Sequence, residues 1–158
     1  MSYNNVYLHI VFAVKYRKRL VNEEMREMIQ GVMVNVCKKH GFKKIEIYCN
    51  PDHVHLLIQN SPTTAISTLI QDLKVKSNLV MNRYTDPRRP FKWQREYAVH
   101  GHTVQHIARI AEYIRNQPEH HKAYTFEEEL RLIFGQTETE YNEEYLTHIL
   151  PEMETDDE

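Results

Sequence analysis

Alternating apolar and polar residues mark four segments of the chain and predict four β-strands. The segments are 5–13, 44–50, 53–59 and 91–99, and in a pleated strand every second side chain points to the same face. In the first three strands the residues assigned to the core face are Val6, Leu8, Ile10 and Phe12, then Ile45, Ile47 and Cys49, then Val54, Leu56 and Ile58. Residues 50–52 (Asn-Pro-Asp) predict a turn between the second and third strands.

Apolar residues at helical spacing predict helices over residues 23–40, 64–83 and 104–117. Asn22 is placed to cap the first of these helices, and Gly41 is placed to end it. The order strand–helix–strand–strand–helix–strand, followed by one more helix, is typical of the split βαβ arrangement. The sequence therefore predicts an α+β fold, a ferredoxin-like split βαβ antiparallel sheet with an added C-terminal helix that bears a tyrosine.

The formal net charge is −2, but the charges are distributed unevenly. Residues 136–158 contain nine acidic residues and no Lys or Arg, which leaves 20 basic against 13 acidic residues in the rest of the chain. A basic body can attract phosphates, although a mixed surface with a solubilising tail explains the same composition, and both interpretations stay open. We predict one domain over residues 1–134, including a short amphipathic helix at 125–134, and a partly disordered acidic extension over 135–158.

The composition argues against a membrane protein and against a small protein stabilised by disulfide bonds. No stretch approaches the run of about 18 apolar residues that a bilayer span needs, and the N-terminal residues show no signal-peptide pattern. Cys37 and Cys49 form no CxxC pair, so we expect buried thiols in a reducing compartment.

The triplet His53-Val54-His55 is the first candidate for chemistry. In a strand these two histidines share one face, about 7 Å apart along the backbone. Imidazoles at that spacing can converge on one metal ion, while Val54 packs into the core behind them. Two histidines on an exposed strand face are nevertheless common without any ion, so the triplet alone does not establish a metal site.

Tyr113 and Gln117 form the second candidate. Helical periodicity assigns an apolar stripe to Val104, Ile107, Ala108 and Ala111. Tyr113 falls on the other side of the helix, facing solvent, a partner or a second surface of the protein, and Gln117 lies one turn further along that side. Considered alone, the pair is also consistent with a surface tyrosine and its neighbour.

Together the two candidates could cleave a phosphodiester. Two imidazoles and the Gln117 amide oxygen make three ligands for a divalent ion such as Mg²⁺ or Mn²⁺. A phenol with a pKa near ~10 is a poor nucleophile at neutral pH, but a nearby cation favours its ionised form. Tyr113 could then attack phosphorus and store the bond energy as a phosphotyrosine ester.

Four separated motifs resemble those of insertion-sequence-200-like transposases, the single-tyrosine members of the histidine–hydrophobe–histidine (HUH) nucleases. The motifs are His9-Ile10-Val11-Phe12, Pro51-Asp52-His53-Val54-His55-Leu56-Leu57, Trp93-Gln94, and Glu112-Tyr113-Ile114-Arg115-Asn116-Gln117-Pro118-Glu119-His120-His121. Their order and separation agree with the family, and the resemblance covers about residues 3–133.

The resemblance implies a function and a role for four residues. It implies that His53, His55 and Gln117 are metal ligands and that Tyr113 is the nucleophile, which links to the 5′ phosphate and releases a 3′ hydroxyl. It also implies single-stranded DNA with hairpins at element ends as the substrate. The same resemblance implies a homodimer with composite active sites. It also implies a prokaryotic protein that is located in the cytoplasm and associated with the nucleoid.

The chain departs from the family pattern after the Trp-Gln pair. Members often carry a Gly-containing stretch of small residues directly there, whereas residues 95–102 of this chain read Arg-Glu-Tyr-Ala-Val-His-Gly-His. This difference puts the mobility of that segment and its DNA contacts in doubt. The acidic extension cannot be carried over from the family either, and a solvated tail explains it more simply than mimicry of nucleic acid.

The remaining histidines and basic residues complete the set of candidates. His9 could support the metal ligands from behind, although a structural role suits it better, and His120 and His121 could approach the metal or the DNA. His100, His102 and His106 are expected at the surface. The residues expected to contact DNA phosphates are Lys15, Arg17, Lys18, Arg19, Lys74, Lys76, Arg88 and Arg89. Tyr97 or Trp93 could stack on a base, although Trp93 suits the core better.

Three alternatives remain beside an active transposase. One is a host-adopted relative that acts on palindromic repeats, which sequence features do not separate from a mobile-element enzyme. Another is a single-stranded nucleic-acid-binding module on a split βαβ sheet, although the aromatic strand signature of such modules is missing. The third is a decayed transposase, against which the intact set of His53, His55, Tyr113 and Gln117 argues.

Overall fold

The computed structural model of the chain describes residues 3–143 and contains a four-stranded sheet and five α-helices within them. The strands are β1 (Tyr7–Ala13), β2 (Lys43–Cys49), β3 (His53–Gln59) and β4 (Ala98–His102). The helices are α1 (Glu23–Lys39), α2 (Ile66–Met81), α3 (Ile107–Arg115), α4 (Gln117–Ala123) and α5 (Phe126–Gln136), with 3₁₀ turns at Lys15–Arg17 and Val104–His106.

The sheet has the order β2-β3-β1-β4, and all three pairings are antiparallel. This topology confirms the predicted split βαβ arrangement. The largest core lies on the side of the sheet that α1 and α2 cover, where Ile10, Leu56 and Leu73 have no exposed surface. The first helix is capped as predicted, because the Asn22 side chain accepts a hydrogen bond from the Met25 N–H. Gly41 ends it with a φ of 78°, which favours glycine.

The opposite side of the sheet is covered by the C-terminal helices. One apolar cluster joins Val11 and Ala13 of β1 to Phe126 and Leu130 of α5. A second joins Leu57 of β3 to α3. This is the face on which the side chains of His53 and His55 lie, so both histidines are buried under helices instead of exposed.

The predicted bounds of the fourth strand, 91–99, were wrong, because β4 spans Ala98–His102. Trp93 makes only an isolated bridge to Val14. The ammonium group of Lys74 donates to the carbonyl oxygens of Gln94, Arg95 and Glu96, which holds the intervening segment in an irregular conformation. Trp93 is in the core, as expected, and its indole N–H donates to the Ser77 hydroxyl.

The prediction that Ile45 shares a face with Ile47 and Cys49 was also wrong. The pairing of β2 with β3 shifts register between Lys44 and Glu46, and such a bulge reverses the alternation of side chains. Ile45 therefore packs with the cluster under α3, while Ile47 and Cys49 face the main core.

The predicted helix over 104–117 is divided in two. The α-helical part begins at Ile107 and ends at Arg115, and α4 begins at Gln117. Pro118 cannot donate to the hydrogen-bond ladder of α3, but it suits the first turn of a new helix. The inward face is also corrected: Ala111 and Ile114 are buried, Ile107 and Ile110 pack beside them, Ala108 is exposed, and Val104 is 61% exposed.

The amphipathic helix expected at 125–134 is α5, and the Thr125 hydroxyl caps it by accepting from the Glu128 N–H. Most of the acidic extension predicted for 135–158 lies outside the described residues. Among residues 3–143 the structure contains no helix that is both long and apolar enough to cross a bilayer.

Candidate metal and tyrosine site

Strand β3 presents His53 and His55 on the side of the sheet that faces α3, α4 and α5. The side chains are 1% and 0% exposed, so the protein has removed both imidazoles from water. Each ring is held from behind. His53 Nδ1 lies 2.7 Å from Asp52 Oδ1, and His55 Nδ1 lies 2.8 Å from His9 Nε2. Partners at Nδ1 leave the Nε2 atoms turned toward a common point, as at metal centres.

Glu129 of α5 occupies that common point with one carboxylate oxygen. Its Oε1 lies 3.2 Å from His53 Nε2, 2.9 Å from His55 Nε2 and 3.1 Å from His121 Nε2. The donor atoms of these four residues all lie within 4.8 Å of one another. Because a carboxylate and imidazoles are common ligands of divalent metals, the donor set fits a metal ion.

The other oxygen of Glu129 faces Tyr113 and Gln117. The Tyr113 hydroxyl donates to Oε2, and the Gln117 side-chain N–H donates to the same oxygen over 2.8 Å. The Tyr113 ring packs edge-on to His55 at 6.1 Å and stacks on His120 at 4.4 Å between centroids. Tyr113 therefore lies in the site formed by its own chain.

Gln117 is fully buried at the start of α4. Its amide oxygen accepts from Asn50 Nδ2 at 3.0 Å and also lies 3.0 Å from His121 Nε2. Asn50 Nδ2 is in turn 3.1 Å from His53 Nε2. The side-chain amide oxygen of Gln117 is therefore held beside the histidine cluster by Asn50, in the turn that precedes β3.

The pKa values of the site residues are set by two opposing effects, burial and the charges of close neighbours. Burial alone would raise the pKa of Glu129, but the charge of His55 and hydrogen bonds from His121 and His53 hold it well below its usual range. Burial raises the pKa of Tyr113 well above its usual range, and the negative charge of Glu129 raises it further. Burial lowers the pKa of His55 and of His9, which favours the neutral imidazole that binds metals.

For His53 the balance has the opposite sign. Burial would lower its pKa, but hydrogen bonds to Asp52 and Glu129 raise it above the ordinary value. The carboxylates on both sides of this ring thus attract positive charge to the centre of the site. A divalent cation would satisfy the same attraction.

Two cavities flank the cluster. One of about 350 Å³ is lined by Arg17, Arg19, His53 and His121, among others. The other, of about 760 Å³, is lined by Arg109 and Tyr113, with His102 and His106 beside them. Basic groups therefore lie on both sides of the histidine–carboxylate cluster.

The other residues expected to bind DNA are more scattered. Lys15 lies over the Tyr16 ring, and Lys18 follows in the same turn. Lys74 is occupied by three carbonyl groups, and burial lowers its pKa to about 8. Lys76 lies on α2, and Arg88 pairs with Asp86 near Arg89 in the loop after that helix. Neither of the two cavities is lined by Lys74, Lys76, Arg88 or Arg89. Lys74 lines a separate hollow with Trp93 and Tyr97.

Sequence reasoning missed Glu129 and misplaced His100. Glu129 sits on the inward stripe of α5, with Phe126 and Leu130 as its neighbours there, and a charged residue on an apolar stripe was the available signal. His100 was expected at the surface, but it is 5% exposed because it packs between β1 and Phe134 of α5. His102 is half-buried beside it, and His106 is exposed as expected.

The fold and the site define a class: a ferredoxin-like domain with a buried histidine–carboxylate cluster beside a tyrosine. Comparison with known proteins gives the family. Residues 2–117 match the family described as Transposase IS200 like. The transposase of insertion sequence element IS200 from Salmonella typhimurium is 32% identical over 124 residues, covering 75% of this chain and 80% of that protein. The chain therefore belongs to the IS200-like transposase family.

Other relatives agree. The ISDra2 transposase TnpA of Deinococcus radiodurans is 30% identical over 66 residues, covering 42% of this chain and 47% of that protein. A crystal structure described as a candidate transposase from Deinococcus radiodurans R1 superposes with a TM-score of 0.58 at 25% identity, covering 74% of this chain and 93% of the other. The fold is shared by a REP-associated tyrosine transposase bound to a REP hairpin, with a TM-score of 0.56, 15% identity and coverages of 77% and 72%. Transposases cleave DNA, so membership of this family places the chain in a class of DNA-cleaving enzymes.

Proposed function

We propose that this protein cleaves and rejoins single-stranded DNA through a 5′-phosphotyrosine intermediate on Tyr113, with a divalent metal ion. The observation that carries the proposal is the position of the Tyr113 hydroxyl, which reaches the carboxylate that also contacts His53 and His55. The proposed nucleophile therefore lies beside the proposed metal ligands, in a chain that belongs to a transposase family.

In this proposal His53 and His55 hold the ion by Nε2, and the amide oxygen of Gln117 is a third ligand. The bound ion would polarise the scissile phosphate and favour the ionised phenol. Asn50 supports the role of Gln117, since it donates to that amide oxygen and so orients it. Asp52 and His9 fix the two imidazole rings from behind.

The reaction forms one bond and breaks one bond. The Tyr113 oxygen joins phosphorus, the bond from phosphorus to the 3′ oxygen breaks, and the phenolic proton ends on the released 3′ hydroxyl. Attack by that hydroxyl, or by one from another strand, reverses the step and rejoins DNA. Helix α3 fixes the distance from Tyr113 to the cluster, which lowers the entropic part of the barrier.

The proposed substrate is single-stranded DNA with hairpins at the element ends, processed in the cytoplasm with the nucleoid. The proposed assembly is a homodimer with composite active sites. Because Tyr113 here contacts the cluster of its own chain, a composite site would require two copies to exchange the helix α3. Family membership supports this choice of substrate. The basic residues of the two cavities beside the cluster suit a strand whose phosphates approach the site from either side.

Chelation tests the proposal. Full-length protein is incubated with labelled hairpin DNA from the flanks of its own gene, with Mn²⁺ and with or without excess EDTA. Cleavage is expected to disappear in EDTA while hairpin binding, measured by gel shift, is largely kept. Equal loss of both, together with a lowered melting temperature, would show that the ion is structural and would contradict the proposed role.

A further inference from the structure

We propose that Glu129 and His121 bind the metal ion together with His53 and His55, so that the site offers three imidazoles and a carboxylate beside the Gln117 amide oxygen and binds Mn²⁺ or Zn²⁺ in preference to Mg²⁺. The inference rests on the proposed metal-dependent function and deepens it. Both residues lie beyond position 117, where the match to the family ends. The proposal thus gives α4 and α5 a part in the chemistry.

The distances carry the geometry. Four donors about 2.1 Å from one ion stand about 3.4 Å apart when arranged as a tetrahedron. Glu129 Oε1 lies 2.9 to 3.2 Å from the Nε2 atoms of His53, His55 and His121, and no two donor atoms of the set are more than 4.8 Å apart. A small outward shift of Oε1 and a closer approach of the more widely spaced donors would therefore complete a coordination shell.

Burial of the carboxylate points the same way. Glu129 is 0% exposed and lies on a helix whose other inward residues are apolar. Removing an isolated carboxylate from water carries a large desolvation cost even after the protein relaxes, so its position needs a compensating positive charge. Among the described residues, no Lys or Arg forms an ion pair with Glu129, and its partners there are histidines, Tyr113 and Gln117. The imidazoles supply that charge only when they are protonated, whereas a divalent cation would supply it while they stay neutral.

The two oxygens of Glu129 would then have separate tasks. Oε1 faces the imidazoles and would bind the ion, while Oε2 accepts hydrogen bonds from the Tyr113 hydroxyl and the Gln117 amide. One carboxylate would thus set the position of the nucleophile relative to the metal. Glu129 is in this respect both a ligand and a positioning residue for Tyr113.

The donor set also decides the ion. Mg²⁺ prefers oxygen ligands and keeps several waters, whereas three imidazoles suit Mn²⁺, Zn²⁺ and similar ions. A site with only two histidines and an amide oxygen would bind Mg²⁺ more tightly than a site with three imidazoles. Metal selectivity is therefore a direct readout of the proposal.

The test is a metal titration of the full chain by calorimetry, with Glu129→Gln and a matched control, Glu128→Gln. Glu128 is an exposed residue on the same helix, and glutamine at its position can still serve the Thr125 cap. Glu129→Gln is expected to weaken Mn²⁺ binding by about tenfold or more, the scale seen even for outer-shell partners. The control should bind as the unmodified protein does, and the Mn²⁺ affinity of the unmodified protein should exceed its Mg²⁺ affinity.

A second variant guards against a folding defect in the first. His121 is partly exposed, so His121→Gln should fold, as judged by its thermal melt, and should remove one of three nitrogen couplings in pulsed EPR of the Mn²⁺ complex. Unchanged Mn²⁺ affinity in both variants, or only two nitrogens in the unmodified protein, would overturn the inference. If the Tyr113–DNA adduct still forms with Mn²⁺ in that case, the proposed function survives. If the unmodified protein neither binds Mn²⁺ nor forms the adduct, both fail.

Discussion

At the scale of single residues, the site depends on what stands behind each imidazole. Asp52 contacts His53 Nδ1 and also faces Arg17 at 3.7 Å. Burial raises the pKa of Asp52, but His53 and Arg17 more than offset this and lower it. The carboxylate therefore stays ionised and holds the His53 ring with Nε2 toward the cluster.

We therefore predict that Asp52→Asn weakens Mn²⁺ binding by roughly 10- to 100-fold, because outer-shell carboxylates orient metal-binding histidines and make them more basic. The isosteric amide keeps the shape of the side chain. Calorimetric titration measures the effect, and Asp86→Asn is the control, since Asp86 pairs with Arg88 far along the chain in an exposed loop. Equal affinities in the two variants would show that Asp52 has no part in metal binding.

The sequence could show His53 and His55 because both lie on one strand, where spacing alone determines the shared face. His9 and Glu129 are different. They lie 46 and 74 residues from His55 and reach it only through the register of β1 against β3 and the docking of α5. A local pattern contains neither the register nor the docking, so Glu129 could not be placed from periodicity.

At the scale of elements, caps and breaks decide where the site residues fall. Thr125 caps α5, which carries Glu129, and Asn22 caps α1, on the other side of the sheet. Each cap satisfies a backbone N–H that would otherwise lack a partner in its helix. The two helices thus offer a matched comparison.

We predict that Thr125→Ala and Asn22→Ala each lower the free energy of unfolding by about 1 kcal/mol, as measured by urea denaturation. Only Thr125→Ala should also weaken Mn²⁺ binding, because fraying at the start of α5 loosens the helix that holds Glu129. Weaker binding in both variants to the same extent would mean that metal affinity follows global stability and not α5.

The elements that sequence patterns placed well were those with uniform periodicity, namely β1, β3, α1 and α5. The misplaced ones have irregular backbone. Trp93 and Phe91 are apolar and buried yet lie outside any named strand, so apolar content moved the predicted fourth strand too early. The break at Asn116 before Pro118 divided a helix whose polar and apolar pattern continues across it.

At the scale of the whole molecule, the net charge of −2 conceals a body that is basic beside the site. Arg19 lines the smaller cavity with His53 and His121. Lys43 lies at the far end of β2, opposite the last residue of β3. A phosphate in the smaller cavity would therefore interact with Arg19 much more strongly than with Lys43.

We predict that Arg19→Ala weakens binding of single-stranded DNA and lowers the slope of log affinity against log salt by about 0.7 for one lost phosphate contact. Lys43→Ala removes the same charge and should leave the slope unchanged. Fluorescence anisotropy at several salt concentrations measures both. Equal changes in the two variants would assign the effect to net charge and not to the cavity.

The most direct test of the account is a covalent-adduct gel with the unmodified protein and Tyr113→Phe. Each is incubated with labelled single-stranded DNA from the flanks of its gene, with and without Mn²⁺, and denatured before electrophoresis. The account predicts a metal-dependent band of protein joined to DNA that is absent from Tyr113→Phe, although both proteins bind the DNA equally. An adduct of equal intensity in Tyr113→Phe, or no adduct from the unmodified protein despite tight DNA binding, would contradict Tyr113 as the nucleophile.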